Sequence, residues 1–288
     1  MWVKACRSIY DFKKNYGLNN KMKICAFVNE KAGYLTLKEI LKKKIEVPLI
    51  FTSSVSRKNK ISDWVDIKSH KNEFKSTNIV RIENPKEKKI IDKIKKFAPD
   101  LIIVISWSQI IPKQIIDIPK YGVISSHYSA LPKRRGGAPL FWAIYDNISN
   151  LGISIYYMEK GIDDGDIIDQ IKININPEDN ITKLMKKIYS KYPKFYANTL
   201  DKIINGKSTR KPQDHKKATY TKARKPEDGF IDFRQDSKKL ERFVKALSSP
   251  YPPAFFEAID KNGYKMIFKI INSNKKNGKL FFNGYLEK

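Results

Sequence analysis

Two cysteines in 288 residues are too few for a disulfide framework, and Cys6 and Cys25 lack the spacing of metal ligands. Such a chain suits a reducing compartment, and no metal is expected. No apolar run approaches the roughly 20 residues that span a bilayer, and the most apolar segment, "DLIIVISWSQIIP", is strand-sized at its core. The opening "MWVKACRSIYDFKKNYG" has neither the continuous apolar stretch nor the small-residue cleavage site of a secretory signal. These absences set the expectation of a cytoplasmic protein with no membrane partner. No G-x-G-x-x-G and no P-loop follows the first predicted strand, which argues against a dinucleotide or nucleoside triphosphate gripped by that turn. Acidic side chains are few, 30 against 57 basic ones, and the formal charge of +27 attracts polyanions at low salt. Yet arginine, the residue suited to planar bidentate phosphate contacts, is scarce: nine arginines stand against 48 lysines. Lysine spread along the chain among many isoleucines and asparagines reads as compositional bias rather than as a built nucleic-acid face.

The length allows one large domain and a smaller one. From residue 23, "KICAFVN" predicts a buried strand, "YLTLKEILKKK" a helix and "VPLIFTS" a second strand. Residues 53–78 read as a long polar connection. A helix with isoleucines at a 3.6-residue period, "EKKIIDKIKKF", then leads into the strand "DLIIVIS". There follow "GVISSH", the helix "APLFWAIYD", the strands "GISIYYM" and "DIIDQIKINI", and a long amphipathic segment ending "YANTLDKII", which Pro193 is expected to kink or split. Strands alternating with helices imply a doubly wound, mostly parallel α/β sheet covered on both faces. The expected division is an N-terminal extension over 1–21, with Met22 as an alternative start, the α/β unit over 22–206, a linker over 207–227 and a small β-rich C-terminal domain over 228–288.

The chemistry centres on "VISSHYSALPKRRGGAP", residues 123–139. In open α/β sheets ligands sit beyond the carboxyl ends of the strands, and His127 is at such an end. Residues two apart on a strand share a face, so Ser125 lies beside His127 while Ser126 looks the other way. From the residues alone, His127 is either a catalytic base or a polar strand end. His70 and His215 fall in polar segments and read as surface residues. The second patch is "MEKGIDDGDII", residues 158–168, with four carboxylates around Gly161 and Gly165. It reads as a solvated acidic turn or as a turn that approaches a ligand closely; the ligand spacing and terminal glutamate of an EF-hand are missing.

Together, "HYSALPKRRGGAP", "WAI" and "GISIYYMEKGIDDGDII", preceded by "PDLIIVISWSQIIPKQIIDIPKYGV", resemble the formyltransferases that use 10-formyltetrahydrofolate. The resemblance runs from about residue 23 to 206 and resumes in "RKPEDGFIDF" and "LERFVKALSSPYPPAFFE". It implies a Rossmann-like formyltransferase fold and transfer of a formyl group from the folate co-substrate to an amine. By resemblance the histidine of the family's catalytic set falls on His127 and its aspartate on Asp163. The asparagine position is occupied by Ser125. In the family the asparagine amide helps to stabilise an oxyanion, and losing one such donor typically costs about 10² to 10³ in rate. Ser125 is therefore a working substitute, a position rescued by another donor such as Gln109, or the mark of a weakened homologue. The resemblance also implies that Trp107, Gln109, Ile110 and Ile111 line the folate pocket, with the turn carrying Glu159, Gly161 and Ile162 as the other wall. Arg134 and Arg135, with Gly136, are solvated loop residues or hold a phosphate or carboxylate of the acceptor.

Three acceptors follow from the resemblance. "KPEDGFIDF" and "SPYPPAFF" look most like the tails of sugar N-formyltransferases, which puts an amino-sugar nucleotide first. Initiator methionyl-tRNA is second, supported by the charge of +27, although the tail is short for a tRNA-binding barrel and residues 53–78 lack a glycine- and arginine-rich loop. Glycinamide ribonucleotide is third, since a single-domain enzyme leaves residues 210–288 unexplained. A ligand-binding module with a disabled site is the non-enzymatic alternative, and a homodimer through the tail is compatible with the pattern.

Overall fold

The computed structural model describes residues 22–259, 261–276 and 279–287. The expected N-terminal extension, residues 1–21, lies outside the described residues. Strand β1 (Ile24–Val28) is buried along its whole length, as befits a central parallel strand. Helix α1 (Lys31–Lys42) turns Ala32, Gly33, Thr36, Leu37 and Ile40 inward, one stripe of a 3.6-residue period. There follow β2 (Leu49–Ser53), β3 (Asn78–Ile82), α2 (Lys88–Phe97), β4 (Leu101–Ile105), the single turn α3 (Lys113–Ile116) and β5 (Val123–His127). After β5 come the short β6 (Arg135–Gly136), α4 (Pro139–Tyr145), β7 (Asn150–Tyr157), β8 (Ile167–Asn174), α5 (Ile181–Ile204), β9 (Tyr220–Thr221) and α6 (Ser237–Ala246). Three strands, β10 (Ala254–Ile259), β11 (Lys265–Lys276) and β12 (Lys279–Glu287), end the described chain.

The main sheet has the order β3-β2-β1-β4-β5-β7-β8. Strands β1 to β5 are parallel, and β7 runs antiparallel to β5. This is the doubly wound, mostly parallel sheet expected from the alternation of strands and helices. The chain divides into two compact units, the first built from residues up to His127, Ile153–Ile171 and Tyr189–Lys216, the second from Tyr128–Gly152, Lys172–Ile188 and Lys217 onward; the boundary falls within β7, β8 and α5. In the first unit Phe27 stacks on Phe51 at 5.0 Å and meets the edge of Trp107 at 5.4 Å, inside a cluster that includes Ile94, Ile102, Ile111 and Val123. In the second, Phe141, Tyr145 and Phe243 pack edge and face, with the Arg224 guanidinium 3.8 Å from the Phe141 ring centre. Asp236 caps α6 by accepting from the Lys238 and Lys239 amides. Strands β10, β11 and β12 form a separate antiparallel sheet.

Four features differ from the sequence reading. Strand β3, which follows the polar connection, was not expected, because only one side of this edge strand is buried, with Asn78 and Arg81 exposed. The connection itself folds into two 3₁₀ helices, Val55–Lys60 and Ile67–Phe74, and the buried Ile61, Ile67 and Phe74 anchor it. Helix α5 runs through Pro193 as one element of 24 residues. The proline removes a hydrogen bond, but burial of Tyr192, Tyr196, Leu200 and Ile203 keeps that face of the helix engaged. The polar stretch 207–227 also carries structure. Lys211 bridges to Ile167, and β9 pairs in parallel with β6.

Candidate active site

Strand β5 delivers its last residue, His127, to the carboxyl end of the sheet. Its antiparallel register with β7 sets Ser125 opposite Tyr156 and His127 opposite Ser154. As the alternation requires, Ser126 faces away, and its hydroxyl meets that of Tyr192 at 2.6 Å. His127 is buried, and its Nδ1 lies 3.5 Å from Oδ2 of Asp163. The other carboxylate oxygen, Oδ1, accepts the Tyr156 hydroxyl at 2.6 Å. Burial first, and the Asp163 carboxylate second, hold the Tyr156 phenol well above its ordinary pKa, while a hydrogen bond from Ser125 opposes the rise. The phenol is therefore a neutral donor across the physiological range.

The turn that carries Asp163 is tightly made. Asp163 has φ +49°, in the left-handed region that L side chains seldom adopt. Gly165 is required by close approach: an added Cβ would lie 1.8 Å from the Tyr157 carbonyl oxygen. Gln213 donates its amide to the carbonyls of Asp163 at 2.9 Å and Gly165 at 2.6 Å. Arg210 bonds Asp166 and lies 3.7 Å from Glu159, with its guanidinium 4.3 Å from the Tyr157 ring centre. Neither Gln213 nor Arg210 was singled out from sequence, since each is one polar residue in a polar run. Tyr156 was missed as well. The alternation of β7 was visible, but its pairing partner was not.

Of the remaining expected residues, Trp107 packs on the core of the first unit and Ile111 is buried in it. The Trp107 indole N–H is buried without a hydrogen-bond partner, as is Oε1 of Gln109, whose Nε2 donates to the Glu83 carbonyl at 2.9 Å. Ile110 is 76% exposed and Ile162 62% exposed. Met158, at the start of the acidic turn, packs on the same cluster as Trp107 and Ile111. Glu159 and Gly161 are exposed. Arg134, Arg135 and Gly136 belong to the second unit. Arg134 pairs with Asp146 at 2.7 Å, and Arg135 is 2% exposed with its guanidinium on the Tyr220 hydroxyl at 3.2 Å. Gly136 has φ +97° and backs onto the Thr221 carbonyl. His70 is 3.0 Å from Glu73, and His215 opens an exposed 3₁₀ turn.

An imidazole at a strand end with a carboxylate beside it is able to accept and hold a proton. Residues 17–200 match the Formyl transferase family, and 224–284 match its Formyl transferase, C-terminal domain. The chain belongs to the formyl transferase family. The methionyl-tRNA formyltransferase of Geotalea uraniireducens is 36% identical over 166 residues, covering 58% of this chain and 53% of that protein. The chain thus spans about half the length of the curated relatives it matches. Among solved structures, the methionyl-tRNA formyltransferase from Clostridium thermocellum aligns with a TM-score of 0.64 at 23% identity, over 93% of this chain and 99% of that one. A 4-N formyltransferase from Francisella tularensis aligns with a TM-score of 0.67 at 22% identity, over 88% and 99%.

Proposed function

We propose that the protein transfers a formyl group from 10-formyltetrahydrofolate to a primary amine, with residues 22–206 as the catalytic domain and 228–288 as the C-terminal domain. The observation that carries this reading is His127 backed by Asp163 at the end of β5, in one unit with the loop after β4. That loop fits a pterin: it offers a buried, unpartnered indole N–H and a buried, unpartnered amide oxygen, along with the exposed apolar Ile110. A planar heterocycle with donors and acceptors on its edge satisfies both polar atoms. When bound, the folate supplies an activated formyl carbon. His127 takes the proton of the attacking amine as the new N–C bond forms, and that proton passes to the folate nitrogen as its bond to the formyl carbon breaks. Asp163, on the Nδ1 side, orients the ring, which leaves Nε2 to face the reaction.

For the acceptor we favour the amino group of a nucleotide-linked amino sugar, which would place the reaction in lipopolysaccharide or O-antigen biosynthesis. Support comes from the connection between β2 and β3, which holds one arginine and no glycine and is folded against Ile67 and Phe74 rather than extended as a gripping loop. Methionyl-tRNA is the second reading, favoured by the formal charge of +27 and by relatives 36% identical that act as methionyl-tRNA formyltransferases. Arg134, whose side chain is 27% exposed, is better placed than the buried Arg135 to meet an acceptor anion. The test is a formyl-transfer assay with 10-formyltetrahydrofolate against amino-sugar nucleotides and methionyl-tRNA. Formylated sugar supports the first reading, formylated tRNA alone reverses the order, and no product with any amine removes both.

A further inference from the structure

We infer that Tyr156 is a positioning residue whose hydroxyl holds the Asp163 carboxylate against His127, and that Ser125 acts by steadying that phenol rather than by touching the reacting group. The inference rests on the formyl-transfer reading for its catalytic consequence and on geometry for the contact itself. Asp163 makes its short bond to the phenol, at 2.6 Å, whereas the imidazole is 3.5 Å away. The tyrosine thus anchors the carboxylate that the histidine faces. Gln213 grips the backbone of this turn. Without the phenol, the Asp163 carboxylate loses this bond on a backbone that is already in an uncommon conformation.

The supporting residues are placed by the sheet rather than by loops. Ser125 and Tyr156 are direct cross-strand partners, and side chains opposite one another in an antiparallel pair are close neighbours. Ser125, His127 and Tyr156 are each less than one-tenth exposed. Ser125 stands directly opposite the tyrosine and opposes the rise in its pKa, and the phenol donates to Asp163. A run of neighbours therefore crosses from β5 to β7 and returns through the acidic turn to His127. Because the phenol stays protonated, it donates without adding a second anion beside the carboxylate. In this arrangement the serine at position 125 has a partner suited to its short reach.

The experiment uses the full chain in the formyl-transfer assay together with ¹⁵N-histidine NMR, which is tractable because the protein has three histidines. Tyr156→Phe should lower kcat about tenfold, the effect of one charge-assisted hydrogen bond, with KM for folate and acceptor unchanged. It should add nothing to Asp163→Asn in the double variant. The His127 ring resonances, assigned by their loss in His127→Ala, should shift in Tyr156→Phe while those of His70 and His215 stay. Ser125→Ala, a milder change, should move the same resonances less and lower kcat severalfold, and it serves as the second variant if Tyr156→Phe folds poorly. Unchanged kcat with unmoved His127 resonances in both variants overturns the inference, as does a Tyr156→Phe loss that multiplies with Asp163→Asn. If the wild type formylates no amine yet the His127 resonances shift, the positioning role holds and the functional reading fails.

Discussion

The acidic turn 158–168 and the basic stretch 133–137 both read, from sequence, as walls of a ligand site, yet the structure treats their charges differently. In the basic stretch the fold consumes the charges: Arg134 is paired with Asp146, Arg135 lies under Tyr220, and Gly136 backs onto Thr221. In the acidic turn Arg210 pairs with Asp166 and Gln213 holds the backbone, while Asp163 gives one oxygen to the Tyr156 phenol and turns the other to the His127 imidazole at 3.5 Å. A carboxylate fixed by a neutral donor and turned toward an imidazole is suited to chemistry. One that is fully bonded is suited to holding the chain together.

The largest test of this contrast is at the turn. His127→Ala should abolish formyl transfer, and Asp163→Asn should cost at least about 10³ in kcat, each with the melting temperature within a few degrees of wild type. An active His127→Ala enzyme would refute the assignment. Arg135→Ala should show the opposite signature, losing about 2–4 kcal/mol of stability in chemical denaturation because it empties a buried, bonded site. Gln213→Ala should fall between the two, with kcat down about tenfold and stability down about 1 kcal/mol, since it releases two carbonyls of the turn. Arg134→Ala should do least, raising the acceptor KM a few-fold without changing the folate KM.

A third site sharpens the comparison through pH. Burial, and the neighbouring Asp63 carboxylate after it, push the Glu30 carboxyl up to about 8. An acid whose folded pKa is raised stays protonated in the fold while the unfolded chain releases its proton, so stability is lost as pH rises from about 4.5 toward 8. Glu30→Gln should flatten that slope in thermal melts between pH 5 and 8, by about 1 kcal/mol after allowance for part exposure. An unchanged slope would assign the pH dependence elsewhere.

Much of this was legible in the chain because it depends on local pattern. The uninterrupted apolar runs of β1 and β4 announce buried parallel strands. The two-residue period puts Ser125 and His127 on one face and Ser126 on the other without any reference to tertiary structure. Asp163 became readable only through its resemblance to a family, since nothing local distinguishes it from Asp164 or Asp166. Tyr156 was not readable at all. Its role depends on β7 running antiparallel beside β5, a choice of neighbour that no spacing encodes. Strand β3 stayed hidden for the complementary reason that an edge strand shows half its residues to water and loses its apolar signature.

The grip of Gln213 on the turn has a consequence for how far the catalytic part can be moved as a module. The two residues are 50 positions apart, and Gln213 lies beyond the last helix that packs on the sheet. A chain cut after Gly206 retains every strand of the seven-stranded sheet and still loses the brace on its aspartate. The functional border of the catalytic unit therefore lies downstream of its last secondary-structure element. A transplant between family members keeps its geometry only if the strap through Lys211 and Gln213 travels with the sheet.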